Sequence, residues 1–137
     1  MFGRPTVIAA YYSRNTKPVR FERVKTGWLS KAKIRTGNDE VRGTTTIPLT
    51  DMTTPIQGLE ISVSRRGWFT LKGTKNTTTH HLDRNVPRGR LAHGSVLSIE
   101  KGSVRLLFDV TGQHAKMTPR ELIAAMDNAM KPRNKRD

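Results

Sequence analysis

The chain reads as a mainly β protein: a single β-sandwich or partly open barrel, followed by a short C-terminal α-helix and a basic tail. Three observations predict this. Strand-like runs bounded by turn residues recur about every ten residues in the second half. Seven prolines and eleven glycines are spread over 137 residues, which favours short elements and many turns. The spacing of apolar residues changes from strand-like to helical only after Gly112.

Taken in order, Thr6 to Tyr12 (TVIAAYY) is a short apolar run rich in β-branched and aromatic residues, bounded by Pro5 and by Ser13-Arg14-Asn15, and it predicts a strand. Val19 to Val24 alternates apolar and charged side chains, so Val19 and Phe21 share one face while Arg20 and Glu22 share the other. Trp28 to Thr36 fits a helical turn or a strand, and the alternation of Lys31, Lys33 and Arg35 favours the strand. Residues 37–58 are polar and rich in Thr and Gly, predicting a long loop or arm with a candidate strand at Thr44 to Leu49.

Leu59 to Ser64 alternates strictly, Arg65-Arg66-Gly67 turns, and Trp68 to Leu71 returns, which together predict a hairpin. Thr77 to Leu82 is another β-rich run, and Pro87-Arg88-Gly89-Arg90 reads as a break. Ser95 to Val110 holds a second hairpin around Glu100-Lys101-Gly102. Thr118-Pro119-Arg120-Glu121 is a capping box with proline at the first helical position. Leu122, Ala125, Met126, Ala129 and Met130 then make an apolar stripe that Pro132 ends. The organisation expected is one domain: a sandwich-like body over 1–112 with 37–58 as its loop or arm, the C-terminal helix over 113–131, and a basic tail over 132–137.

Apolar residues make up 34% of the chain, below the usual globular fraction of about 45–50%, so one modest core is expected. Without cysteine, disulfides, thiolate metal sites and a cysteine nucleophile are excluded. No stretch approaches the ~20 apolar residues of a membrane span, and Met1-Phe2-Gly3-Arg4-Pro5 lacks a signal-peptide core. The expected location is the cytoplasm, or an assembly formed there.

Catalytic chemistry has little to draw on, and the expectation is a non-enzymatic protein without cofactor or metal. The eleven carboxylates are dispersed singly apart from Asp39-Glu40, so paired acid–base devices and two-metal clusters are not expected. His80 and His81 are neighbours and would point to opposite faces of a strand. His93 and His114 meet only if the fold brings them together, and no Asp or Glu is spaced to support them. Gly89-x-x-x-x-Gly94-Ser95 lacks the lysine of a phosphate-binding loop.

Charge is the strongest signal. Twenty-five Lys and Arg against eleven Asp and Glu give +14, an excess that attracts polyanions. Residues 1–42 carry ten Lys and Arg against three Asp and Glu, half of the total excess. There Arg14, Lys17, Arg20, Arg23, Lys25, Lys31, Lys33 and Arg35 lie among Tyr11, Tyr12, Phe21 and Trp28, an interleaving that suits phosphate contacts beside stacked bases. The competing role for Phe21 and Trp28 is to fill the core. Arg84, Arg88 and Arg90 form a second cluster.

Residues 59–110 also carry Ser64-Arg65, then Gly73-Thr74-Lys75-Asn76-Thr77, then Leu91-Ala92-His93-Gly94-Ser95-Val96-Leu97-Ser98-Ile99, and close on Val104 to Val110. This order resembles the second half of a forkhead-associated (FHA) domain, a β-sandwich whose loops bind phosphothreonine peptides. The resemblance implies Ser64, Arg65 and Asn76 as phosphopeptide-contacting positions.

Three roles follow. The first is a module that binds nucleic acid mainly through its phosphates, with no zinc finger, helix-turn-helix or RNA-recognition signature in view. The second is an FHA-like module docking on an acidic or phosphorylated protein. The third is a structural subunit of a phage virion or other assembly.

Overall fold

Eleven strands and one helix are observed in a computed structural model that describes residues 5–12, 18–27, 30–48, 58–72, 77–79, 84–85, 88–99 and 104–130, with backbone alone at 18–20, 77–79 and 84–85. The strands are β1 (Thr6–Tyr12), β2 (Pro18–Lys25), β3 (Ala32–Thr36), β4 (Thr45–Ile47), β5 (Glu60–Val63), β6 (Trp68–Lys72), β7 (Thr77–Thr79), β8 (Arg84–Asn85), β9 (Arg88–Arg90), β10 (Val96–Ile99) and β11 (Val104–Asp109), with α1 at Pro119–Met130. They form a six-stranded sheet ordered β2-β1-β11-β10-β7-β8 and a five-stranded sheet ordered β4-β3-β5-β6-β9. The protein is mainly β with a short C-terminal helix, as its sequence predicts.

Side-chain parity explains how the layers assemble. In β3, β5 and β6 every second residue is buried: Ala32, Ile34 and Thr36, then Ile61 and Val63, then Phe69 and Leu71. These meet Val7, Ala9 and Tyr11 of β1, Leu97 and Ile99 of β10, and Val104, Leu106 and Phe108 of β11 in the core between the sheets. The alternate residues of the six-stranded sheet, Ile8, Ala10, Tyr12, Val96 and Leu107, build a second core with Leu122 and Met126 of α1. β1 is therefore covered on both faces, which is why TVIAAYY runs apolar without alternating.

The helix begins where the capping box places it. The Thr118 amide donates to Glu121 Oε1 (3.1 Å) and the Glu121 amide donates to Thr118 Oγ1 (3.2 Å), satisfying two donors of the first turn. Hydrogen bonds from Thr118, the backbone amide first and the hydroxyl second, hold the Glu121 carboxyl below its usual range. The segment 113–118 is turn rather than helix. Arg105 of β11 pairs with Asp127 of α1 and lies 4.7 Å from the centroid of the Tyr12 ring. Burial pushes the Tyr12 phenol up, with the Arg105 charge working against that shift.

The candidate strand at Thr44 to Leu49 is present as the shorter β4, and the break at 87–90 is corrected. The loop or arm at 37–58 contains β4, which pairs in parallel with β3; its connection is folded by Thr44, whose amide and hydroxyl both donate to Val41 O. Residues 49–57 lie outside the described ones. The stretch read as a break at 87–90 includes β9, paired antiparallel with β6 through Trp68↔Arg90, Phe69↔Gly89 and Thr70↔Arg88. Glycine permits this pairing, because a Cβ at Gly89 would stand 3.0 Å from the Phe69 ring. Among the described residues no helix is long and apolar enough to cross a membrane.

Gly67 sets the hairpin that presents β6. Its φ is 91°, and a Cβ there would stand 2.2 Å from Leu91 O. Its amide donates to Ser64 O and its carbonyl accepts from the Leu91 amide. Gly67→Ala is expected to destabilise the fold by at least about 2 kcal/mol through φ strain and this clash, measured as a fall in the midpoint of urea unfolding at unchanged m-value.

Candidate functional site

A two-sheet sandwich has two outer faces, and here they are treated differently. On the six-stranded sheet the outward residues of β1, β10 and β11 lie under α1, with Phe21, Met117, Ala129 and Met130 completing the seam. On the five-stranded sheet the outer face carries the residues whose parity opposes the core: Lys33 and Arg35 of β3, Glu60 and Ser62 of β5, Trp68, Thr70 and Lys72 of β6, and Arg88 and Arg90 of β9. Lys31 stands exposed just before β3, and Arg65 and Arg66 are exposed in the turn between β5 and β6. Glu60 is the one carboxylate on these strands among the described residues; Asp39 and Glu40 lie in the loop that leaves β3.

Strand register turns this set into rows. Lys33 pairs with Ser62, Ser62 with Thr70, and Thr70 with Arg88. Neighbouring strands are ~4.8 Å apart, so Lys33 and Arg88 stand roughly 14 Å apart across a floor of two hydroxyl residues. A second row runs Arg35, Glu60, Lys72. A third brings Trp68 opposite Arg90. The Arg90 guanidinium carbon is 5.6 Å from the Trp68 ring centroid, and Arg90 Nε donates to Arg66 O (3.1 Å), which fixes its plane. Trp68 itself is 56% exposed, in contrast to Phe69 and Leu71 beside it.

On the strands of this face, the described residues place Lys33, Arg35, Lys72, Arg88 and Arg90 against Glu60. The one ion pair between described Lys or Arg and carboxylate side chains, Arg105–Asp127, belongs to the helix-covered side. Arg35 donates to a backbone carbonyl, Asp39 O, at 2.8 Å, which orients the guanidinium without cancelling its charge. Guanidinium and ammonium groups form charge-assisted hydrogen bonds with phosphate, sulfate or carboxylate oxygens.

The structure redistributes the residues singled out in the sequence. Lys31, Lys33 and Arg35 from the N-terminal cluster join Arg88 and Arg90 from the second cluster on one face. Arg23 and Lys25 lie on β2, at the edge of the other sheet, where Arg23 donates to His114 O (3.3 Å). The backbone of Arg20 is also on β2, and that of Arg84 on β8 at the opposite edge. Arg14, Lys17 and Asn76 lie outside the described residues, as do Trp28, His80 and His81. Ser64 Oγ accepts from the Trp68 amide (3.1 Å) within the turn, and Arg65 stands at its tip. That turn precedes β6, whereas the segment carrying Asn76 follows it. Lys72, Arg66 and Trp68 complete the face without having been singled out; the signal was the parity of Trp68, Thr70 and Lys72 against Phe69 and Leu71.

His93 and His114 do converge, and a carboxylate sits between them. Asp109, 2% exposed, accepts from the amides of Gly112 (3.0 Å) and His114 (3.2 Å), and its Oδ1 is 3.3 Å from His114 Nδ1. The expectation that no carboxylate is spaced to meet these histidines fails because the turn after β11 folds His114 back onto Asp109. Three donor atoms of His93, Asp109 and His114 lie within 4.8 Å of one another. However, His93 Nδ1 accepts the Val110 amide (3.0 Å), so Nε2 carries the proton toward Gln113 Oε1 (3.2 Å). With the His93 lone pair engaged and Asp109 holding the turn that carries His114, the cluster forms a clasp on the approach to α1.

No family model matches the chain, and neither do any curated protein or solved structure.

Removing the charge from the clasp tests its structural role. Asp109→Asn leaves a single carbonyl acceptor for donors that two carboxylate oxygens now serve, and is expected to cost about 1.5–3 kcal/mol of stability. Chemical denaturation measures the loss, and polyanion binding by the folded fraction is expected to be unchanged because the clasp lies away from the cationic face.

Proposed function

We propose that this protein is a non-enzymatic nucleic-acid-binding module that grips phosphates with the outer face of its five-stranded sheet. The observation that carries this reading is the assembly, on the one sheet face that α1 leaves uncovered, of Lys33, Arg35, Lys72, Arg88 and Arg90 from three strands against Glu60. Cations from distant parts of the chain share a face only because of strand order, so their proximity is not a by-product of a basic stretch of sequence. Their cost in mutual repulsion is offset when a polyanion supplies the missing charge and its counterions are released. A cytoplasmic location, or one within an assembly formed there, accompanies this reading.

The FHA-like reading draws on the two-sheet sandwich. Its peptide-binding chemistry has less support: Ser64 is engaged by the Trp68 amide, and no histidine follows in the family's Ser-Arg-x-His pattern. A virion or assembly subunit would use the same cationic face against packaged nucleic acid.

A salt titration of charge-neutralised variants tests the reading. Lys33→Gln with Arg88→Gln is expected to weaken oligonucleotide binding and to make the slope of log K against log salt shallower by roughly two, one for each lost phosphate contact. The charge-matched pair Lys116→Gln with Arg120→Gln, on the helix side, should leave both unchanged. Salt-independent binding, or equal loss in the two pairs, contradicts the proposal.

A further inference from the structure

We infer that the nucleic acid taken by this face is single-stranded, with a base stacked on Trp68; this rests on the phosphate-binding reading above and specifies its ligand. The starting observation is an indole where one is not expected. Trp68 is 56% exposed, and Val41 is the other large hydrophobic residue so exposed among those described. It stands within the cationic set, opposite Arg90 in the register, and the Arg90 guanidinium lies against it. An aromatic plane beside an oriented cation is the pairing that holds a base by stacking while the adjoining phosphate is bound.

Geometry favours an unpaired strand over a duplex. Five strands span roughly 19 Å, wider than the ~12 Å major groove, which admits a helix or a two-stranded ribbon. In a duplex the base faces are occupied by their neighbours, and only edges are offered, so a flat sheet meets phosphates but leaves Trp68 without a partner. Arg88 and Arg90 are alternate residues of one strand, roughly 6.7 Å apart. A strand laid along β9 places phosphates on these two arginines and turns its bases inward over Trp68, Thr70 and Ser62. Sheet faces bearing aromatics are a recurring platform for unpaired bases.

The test compares equal-length ligands at one salt concentration by fluorescence anisotropy: a thymidine strand, a uridine strand, an abasic strand and a duplex. Wild type is expected to bind a base-bearing strand about tenfold more tightly than the abasic strand, and more tightly than the duplex. Trp68→Ala should reduce that preference to within about twofold while retaining salt-dependent binding to all four, and Trp68→Phe should restore most of it. Because Trp68 lies on the surface, circular dichroism is expected to show each variant folded. Equal binding of base-bearing and abasic strands by wild type, or a uniform loss for every ligand in Trp68→Ala, overturns the inference while leaving phosphate binding intact. Failure of wild type to bind any of the four overturns the phosphate-binding reading and this inference with it.

Discussion

The apolar seam between α1 and the six-stranded sheet decides which side of this molecule meets water. Leu122 and Met126 are buried there against Ile8, Ala10, Tyr12, Val96 and Leu107, and full burial of each such side chain contributes about 1.5–3 kcal/mol. The capping box sets where the helix starts, the Asp109 clasp sets the path into it, and the Arg105–Asp127 pair ties its later turns to β11. Among the described residues α1 packs on β1, β10 and β11, while Lys33, Arg35, Lys72, Arg88 and Arg90 share the outer face of the other sheet.

The same asymmetry governs how much could be read from the sequence. Strict alternation in Leu59–Ser64 and Trp68–Leu71 predicts the β5–β6 hairpin because one face of that sheet is wet. The continuous run of β1 is legible as a strand by its composition, but its double coverage is not. β9 escapes the reading because a three-residue strand carries almost no periodic signal, and β4 is legible only as a candidate strand whose partner the sequence does not show. β4 depends on a parallel pairing made at a distance, and β9 depends on Gly89 accommodating the Phe69 ring. Thr118-Pro119-Arg120-Glu121 is legible because capping chemistry is local.

For the candidate site, sequence shows the cations but not their grouping. Lys33 and Arg88 are distant in the chain and become neighbours across a hydroxyl floor only through the order β3-β5-β6-β9. Arg23 and Lys25 lie close to Lys31 in sequence, yet strand β2 carries them to the edge of the other sheet. Asp109 and His114 are five residues apart with a turn between them, a spacing that has meaning only once the turn after β11 is formed. Charge density is therefore legible in the sequence, and topology decides which cations share a face.

An open sheet face bearing Lys33, Arg35, Lys72, Arg88 and Arg90 is electrostatically unfavourable alone and favourable beside a polyanion, with screening over about a Debye length making the gain salt-dependent. The most direct measurement is the reactivity of individual lysines toward a small acylating reagent, read by mass spectrometry with and without a saturating oligonucleotide. The account predicts that Lys33 and Lys72 become severalfold less reactive in the complex while Lys116 on the helix side is unchanged. Protection of Lys116 with Lys33 and Lys72 left reactive would contradict it.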